Sequence, residues 1–237
     1  MKISIITPVF NAAKTVQQTL NSILEQEVSP VEHIIIDGVS TDGTLEILHQ
    51  YKRLAPYPVL IKSEKDNGIY DAMNKGILLS KGDLLGILNA DDWYEAGALE
   101  AMTIACRKNG PGIYTGIQRY WLEEKEYYLE RVNPAFLDRK MIQHPATFVS
   151  RSIYEKWGIF NTDWRYSADL EMFGRFLLAG LPFYQTDSII ANFRIGGASS
   201  TIAAAKESLR VRHQYGFITN AQFRKKMFTL KLKQLVT

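Results

Sequence analysis

The sequence predicts an α/β fold with a mostly parallel central sheet flanked by helices, on three observations. Across the first hundred residues, short β-branched runs alternate with amphipathic stretches. The runs are apolar almost throughout, the pattern of strands covered on both faces. Polar residues then gather where each run ends, which is where open α/β sheets bind ligands.

Taken in order, Ile3 to Val9 is the first strand. Asn11 is placed to cap the following helix, expected to reach about Gln26 with Val16, Leu20, Ile23 and Leu24 on one face. Val31 to Ile36 is the second strand and ends at Asp37-Gly38; Thr41 or Asp42 then caps a helix carrying Leu45, Leu48 and Tyr51. Val59 to Ile61 is a third, short strand. Asn67-Gly68 turns the chain into a helix with Met73 and Ile77 inward, and Lys81-Gly82-Asp83 turns it into the fourth strand, Leu84 to Leu88. After Tyr94 the alternation weakens. Leu99 to Lys108 is a helix, Gly112 to Trp121 contains a strand, and Glu123 to Leu137 reads as an exposed insertion. Ala146 to Val149 is a strand, Ile153 to Trp157 and Ala168 to Leu178 are helices, and Ile189 to Arg194 is the last strand.

A chain of 237 residues with 46% hydrophobic and 22% charged side chains is ordinary globular protein, which sets aside disorder and low complexity. Cys106 is the single cysteine, so neither an intrachain disulfide nor a cysteine-based metal cage can form, and a reducing cytoplasm fits. The opening apolar run stops at Thr7-Pro8 and lacks a signal-peptide layout. No stretch approaches the roughly 20 apolar residues of a membrane-spanning helix. The net charge of +3 hides an asymmetry. From Lys206 onward eight Lys and Arg face the single acid Glu207, a net +7, and the first 205 residues carry 20 basic against 24 acidic side chains, a net −4. The division expected is a domain over 1–205, in halves 1–110 and 111–205, and a basic amphipathic helical tail over 206–237. That tail interleaves Leu209, Tyr215, Phe217, Phe223, Met227, Phe228, Leu230, Leu232 and Leu235 with its cations. Such a stretch suits an anionic membrane surface, or packs on the domain with its basic face in water. No motif supports nucleic-acid binding.

The polar strand ends carry the chemistry. Asn89-Ala90-Asp91-Asp92 follows a buried strand, and its hard oxygens can hold a divalent cation with sites left for phosphate. Alternatively Asp92 caps a helix starting near Glu95. Carboxylates gathered at one sheet edge cost free energy unless a cation or donor groups offset them. Asp37 can accept from a base or ribose, or serve as a turn aspartate before Gly38. Asp66 to Gly76, with Asn67, Asp71 and Asn74, forms a polar helix start whose amides suit a phosphate-bearing ligand. Neither a dinucleotide nor a P-loop glycine pattern is present, and Asp37 to Gly43 lacks the acidic spacing of a calcium loop.

Thr7-Pro8-Val9-Phe10-Asn11, Ile36-Asp37-Gly38 with Ser40 to Thr44, the run Asp66 to Gly76, and Leu88 to Asp92 resemble, in order, the motifs of family 2 glycosyltransferases with the GT-A fold. The resemblance covers residues 1 to about 110 and, more loosely, the next ninety, and is nearest to bacterial enzymes of exopolysaccharide, capsule or O-antigen assembly.

The resemblance implies an inverting transfer of a sugar from a nucleotide-diphosphate donor to a saccharide acceptor, lipid-linked in such pathways, at the inner face of the cell membrane. It places Thr7, Pro8 and Asp37 at the nucleotide base, and Asp66, Asn74, Asn89, Asp91 and Arg194 along the donor. Mn²⁺ or Mg²⁺ would sit on Asp91 and Asp92. The family's Asp-x-Asp falls on Asn89-Ala90-Asp91, so the first acid is an amide here. Asp169, in Tyr166 to Met172, matches the catalytic base, with Glu171 as a second candidate; the preceding family glutamate is Ala168. Asp169 could equally be a helix N-cap. His144 matches a position near acceptor or metal, and Arg194 opens a loop, Gly196-Gly197 to Ser199-Ser200, that covers the diphosphate. Two other readings stand beside this one. A nucleotidyltransferase would want a glycine-rich basic loop after the first strand, and Thr7 to Lys14 has no glycine. A degenerate sugar-nucleotide-binding scaffold is made thinkable by Asn89 and Ala168.

Overall fold

A computed structural model describes residues 1–196 and 201–236. Its elements are β1 (Ile3–Val9), α1 (Val16–Leu24), β2 (Glu32–Asp37), α2 (Thr44–Leu54), β3 (Val59–Ser63), α3 (Ile69–Leu79), β4 (Leu84–Ile87), β5 (Trp93–Tyr94) and α4 (Ala98–Asn109). The second half adds β6 (Ile113–Leu122), β7 (Lys125–Glu130), β8 (Thr147–Ser150), α5 (Arg151–Trp157), α6 (Ala168–Leu178), β9 (Phe183–Arg194), α7 (Ile202–Gln214) and α8 (Asn220–Val236). Short 3-10 turns lie at Pro134–Phe136 and His144–Ala146.

The sheet runs β3-β2-β1-β4-β8-β6-β9-β5, with β7 beside β6. From β3 to β4 all pairings are parallel; β8 then pairs antiparallel with both β4 and β6, and β6 pairs parallel with β9. The sheet is therefore mixed, with its parallel part in the first half. Alternate residues of each inner strand feed opposite cores, so Ile5 and Ile35 pack with α1, α2 and α4, and Ile6, Ile34 and Ile36 with α3, α5 and α6. This two-sided burial is why the strands read as unbroken apolar runs. Gly76 lets α3 approach β1 closely, since a Cβ there would stand 2.3 Å from Ile6 Cγ2.

Several expectations need correction. Asn11 does not cap α1: it takes a φ of 47°, and its Oδ1 accepts from the Thr41 amide at 2.9 Å. Gly43, with φ of 90°, is the N-cap of α2; Asp42 instead binds the Thr44 and Ala13 amides at 3.2 and 3.1 Å. Asp92 caps no helix, because α4 starts at Ala98 behind Gly97. The insertion over 123–137 is mostly exposed, as expected, but contains the hairpin strand β7, held by the Tyr120–Tyr128 ring stack at 4.3 Å.

A tail starting at 206 would cut through α7, which is part of the domain. Val211 lies in the core with α6. Arg212 is buried and donates to the Leu137 and Lys140 carbonyls at 2.7 and 3.0 Å. Helix α8 folds back along α7, with His213 stacked on Phe223 at 4.5 Å and Lys206 bonded to Gln234. Phe223, Met227 and Leu230 are half-buried on one side; Phe228 and Leu232 are exposed on the other, and the side chain of Leu235 lies outside the described residues. Among the described residues no helix is long and apolar enough to cross a membrane.

Candidate functional site

In the parallel order β3-β2-β1-β4, the C-terminal strand ends lie along one edge of the sheet, with the ends of β1 and β4 side by side. Pro8 is buried in β1. Thr7 is also fully buried, and its hydroxyl lies 2.8 Å from His33 Nε2, at the head of a chain through Tyr51 (2.7 Å) to Tyr57 (2.9 Å). Burial holds His33 neutral, with its pKa lowered to about 3. The Thr7 side chain thus belongs to the core and not to an open base pocket.

Asp37 is likewise enclosed. It accepts from the Val39 amide (3.1 Å), the Ser40 amide (3.2 Å) and the hydroxyls of Ser40 (2.5 Å) and Ser63 (2.6 Å). Four donors occupy the lone pairs a carboxylate offers, so Asp37 organises the turn instead of presenting an oxygen to a ligand. The open groups at this edge are Phe10 and Asp66, which flank Gly38 so tightly that a Cβ there would stand 2.8 Å from Asp66 Oδ2 and 3.2 Å from Phe10 Cδ2. Phe10 is 64% exposed, and Asp66 accepts from the Gly68 amide at 2.9 Å. Asn74, expected along the donor, faces the core: its amide donates to and accepts from the Phe160 backbone at 2.8 and 3.0 Å.

The loop after β4 divides its three polar residues. Asp92 is buried, accepting from Asn89 Nδ2 and from the Arg194 amide, both at 3.2 Å. Burial, reinforced by the neighbouring Asp91 charge, pushes its carboxyl well above the usual range. Asp92 therefore ties β4 to β9 and is turned away from a metal ligand's role. Asp91 is the exposed carboxylate; desolvation by the surrounding recess raises its pKa, against the pull of its own amide and of Arg194. Asn89 Oδ1 is a buried amide oxygen with no hydrogen-bond partner. Arg194 Nε donates to the Asp91 carbonyl at 3.0 Å, its guanidinium lies 4.7 Å from the Trp93 ring centroid, and Nη2 reaches Gln18. The structure thus brings Asn89, Asp91 and Arg194 together. The residues expected to follow Arg194, Gly197, Ser199 and Ser200, lie outside the described ones.

An orphaned amide oxygen beside an open carboxylate is a hard-oxygen set of the kind Mn²⁺ or Mg²⁺ takes. Among the described residues no group of three His, Cys, Asp or Glu is placed to hold a metal alone. A cation here would need ligand oxygens to complete its shell.

The third cluster joins the second half to this edge. Gly86 pairs with Phe148 antiparallel, so the residues before β8 run back beside the end of β4, and His144 lies in the turn there. His144 Nδ1 is 3.8 Å from Asp169 Oδ2, and its Nε2 is buried without a partner. Burial lowers its pKa to about 4, so it is neutral near pH 7. Asp169 stands in the first turn of α6, but Ser167 is the N-cap. Asp169 is buried; its Oδ1 accepts from the Leu170 amide at 2.8 Å and from the Tyr70 hydroxyl at 3.0 Å, and Oδ2 carries no hydrogen bond. Desolvation pushes its carboxyl up to about 6, partly opposed by those donors and by the Arg212 charge. Glu171 has a structural post: it pairs with Arg175 at 3.1 Å and accepts from the Tyr215 hydroxyl at 2.5 Å.

Sequence reasoning missed Tyr70 and Glu207. The Glu207 carboxylate accepts from the Arg165, Tyr166 and Ser167 amides at 3.2, 2.6 and 2.8 Å, so α7 holds the loop that introduces α6. Its being the lone acid in a basic segment was the available signal.

Comparisons with known proteins identify the family and the fold. The glycosyl transferase family 2 profile matches residues 4–166. A PGL/p-HBAD biosynthesis glycosyltransferase of Mycobacterium bovis is 30% identical over 207 residues, spanning 84% of this chain and 79% of the relative. A Bacillus subtilis protein assigned to teichuronic acid biosynthesis, TuaG, is 35% identical over 98 residues, 41% of this chain and 39% of the relative. Among solved structures, Staphylococcus aureus TarS 1–349 in complex with UDP-GlcNAc superposes with a TM-score of 0.70 at 15% identity, over 95% of this chain and 69% of that one. The chain covers 42% of the longer TarS structure. The mannosyltransferase PcManGT of Pyrobaculum calidifontis, in complex with GDP-Man and Mn²⁺, gives a TM-score of 0.70 at 18% identity, over 90% of this chain and 62% of that one. The fold is that of the GT-A transferases, and with a family profile matching more than half of its length, the chain belongs to glycosyl transferase family 2 and is a glycosyltransferase.

Proposed function

We propose that the protein transfers a sugar, with inversion, from a nucleoside-diphosphate donor to a saccharide acceptor in surface-polysaccharide synthesis. The observation that carries this reading is the division of labour across one sheet edge. Asn89, Asp91 and Arg194 offer oxygens and a guanidinium suited to a diphosphate, and the buried Asp169 keeps one carboxylate oxygen without a hydrogen bond. Phe10 offers an exposed ring beside Asp66 for a nucleobase and its ribose. TarS and PcManGT, which share the fold, were captured with UDP-GlcNAc and with GDP-Man.

In the proposed step, Asp169 Oδ2 takes the proton of the acceptor hydroxyl as that oxygen forms its bond to the anomeric carbon. The bond to the diphosphate oxygen breaks on the opposite face, and its electron pair leaves with the nucleotide. A carboxyl pushed up to about 6 is a stronger base than an ordinary aspartate and is still ionised at pH 7. Neutral His144 lines the approach to Oδ2 without competing as an acid. Asn89 and Asp91 would hold Mn²⁺ or Mg²⁺, which when bound offsets charge on the departing diphosphate. Arg194 would add a fixed positive charge beside them.

A lipid-linked acceptor would bring the enzyme to the cytoplasmic face of a membrane, and α8 has the surface for it. Phe228 and Leu232 are exposed there, among Arg224, Lys225 and Lys231. Family membership leaves no support for a nucleotidyltransferase, and the unbonded oxygen of Asp169 speaks against a scaffold. The test is a panel of UDP-, GDP- and dTDP-sugars in a thermal-shift assay with Mn²⁺ or EDTA, followed by product detection. One donor class should stabilise the protein and release its nucleoside diphosphate with acceptor present, because a ligand bound only to the folded state raises stability by mass action. No stabilisation by any nucleotide sugar would reject the proposal.

A further inference from the structure

We infer that Tyr70 is a positioning residue for the proposed base: its hydroxyl fixes Asp169 Oδ1, so that Oδ2 alone is presented to the acceptor. The inference rests on reading Asp169 as the base. Tyr70 lies in the first turn of α3, directly after the Asp66-Asn67-Gly68 turn, whereas Asp169 lies in the first turn of α6, 99 residues away. The two meet because Tyr70 is itself held. Its ring packs on Phe160 at 5.3 Å between centroids, and Asn74, one helical turn along α3, clamps the Phe160 backbone through both amide atoms.

The consequence for the carboxylate is geometric. Two donors, the Leu170 amide and the Tyr70 hydroxyl, converge on Oδ1 at 2.8 and 3.0 Å. The amide alone would let the carboxyl group turn about its own axis; the second donor, coming from another helix, removes that freedom. Tyr70 is buried and its phenol is held well above the ordinary tyrosine range, chiefly by desolvation and then by the Asp169 charge, so it stays a donor at every working pH. The other groups facing Asp169 are His144 from the turn before β8, neutral at working pH, and Arg212 from α7, whose charge favours the carboxylate. Glu207 acts on the amides before α6 and on Tyr70. Tyr70 is the one of these that donates to the carboxylate itself through a side chain. Because α3 begins at the donor-side turn and ends its first turn on the base, one helix sets the spacing between donor and acceptor sites.

The test compares pH profiles of kcat and kcat/KM for wild type, Tyr70→Phe and protein carrying 3-fluorotyrosine at position 70. Loss of a hydrogen bond to the ionised form raises a carboxyl pKa, here by about one unit. Tyr70→Phe should therefore move the acid limb from near pH 6 to near pH 7, lowering kcat roughly fivefold at pH 6 and much less at pH 8.5, with the donor KM unchanged. Fluorotyrosine, a stronger donor of the same shape, should move the limb the other way and keeps the test available if the phenylalanine variant folds poorly. An unmoved acid limb in either variant would overturn the positioning role. A wild-type acid limb that survives in Asp169→Asn would instead remove the base assignment beneath it, so the two failures are distinguishable.

Discussion

Replacing Glu207 with Ala tests whether α7 is part of the catalytic domain or an appended tail. The Glu207 carboxylate accepts three backbone amides at the entry to α6, two of them short, at 2.6 and 2.8 Å, and one at 3.2 Å on exposed Arg165. Hydrogen bonds to charged groups contribute about 1.5–3 kcal/mol each. Water can replace the carboxylate at Arg165, but less readily at Ser167, which is buried. Counting the two short bonds, and discounting because Glu207 is only half-buried, puts the loss at about 3 kcal/mol. At roughly 2–4 °C per kcal/mol for a domain of this size, Tm should fall by about 6–12 °C. Glu207→Gln keeps one acceptor oxygen and should fall between. Differential scanning calorimetry measures this, and kcat should drop with donor affinity nearly intact, since the loop leads to Asp169 and not to Asn89 or Asp91. A Tm within 1 °C of wild type, a small fraction of the shift expected at this scaling, would refute the integral role of α7.

Further predictions concern the two halves of the site and the exposed side of α8. Asp91→Ala should weaken donor binding roughly tenfold or more, about 1.4 kcal/mol, and erase the difference between Mn²⁺ and EDTA in titration calorimetry; unchanged affinity would remove Asp91 from the diphosphate site. Asp169 carries a stability signature as well as a kinetic one. Its carboxyl rises from 3.8 to about 6 on folding, so the folded chain binds more protons than the unfolded one across that window, and stability falls as pH rises through it. Asp169→Asn should recover stability at pH 8, at most about 3 kcal/mol, and none near pH 4, as urea melts at the two pH values would show. Phe228→Ser with Leu232→Ser should lower sedimentation with phosphatidylglycerol vesicles while soluble activity persists. Equal binding of wild type to neutral phosphatidylcholine would count against the anionic-surface reading.

How much was legible in the sequence depended on whether a feature was set by neighbours along the chain or across it. Strands β1, β2 and β4 were readable because their two faces are buried, leaving an unbroken apolar run, and α6 was readable at both ends. Strand β7 was not. Its side chains Lys125 to Glu130 are nearly all exposed, and it is held by pairing with β6 and by the Tyr120–Tyr128 stack, which no local pattern announces. The acids show the same limit more sharply. Asp37, Asp91, Asp92 and Asp169 are alike in sequence, but Asp37 is saturated by Ser40, Val39 and Ser63, and Asp92 is buried with one donor on each oxygen, from Asn89 and Arg194. Asp91 is exposed, and the buried Asp169 keeps one oxygen without a hydrogen bond, 3.8 Å from His144 Nδ1. Of the donors to Asp37 and Asp92, Ser63 and Arg194 lie far along the chain on other strands, so the motif named the acids but could not say which oxygens are already bonded. The basic charge count likewise ran α7 and α8 together, although Val211, Arg212 and Glu207 of α7 are built into the domain.

The central claim is that Asp169 is the base of a displacement whose donor is held elsewhere, by Asn89, Asp91 and Arg194. Rapid-mix single-turnover transfer by Asp169→Asn, with donor affinity measured on the same preparation, tests it most directly. The account predicts donor binding within about twofold of wild type and a transfer rate lower by a factor on the order of 10² to 10⁴, the range for losing a general base. A variant that binds donor normally and transfers at the wild-type rate would contradict it.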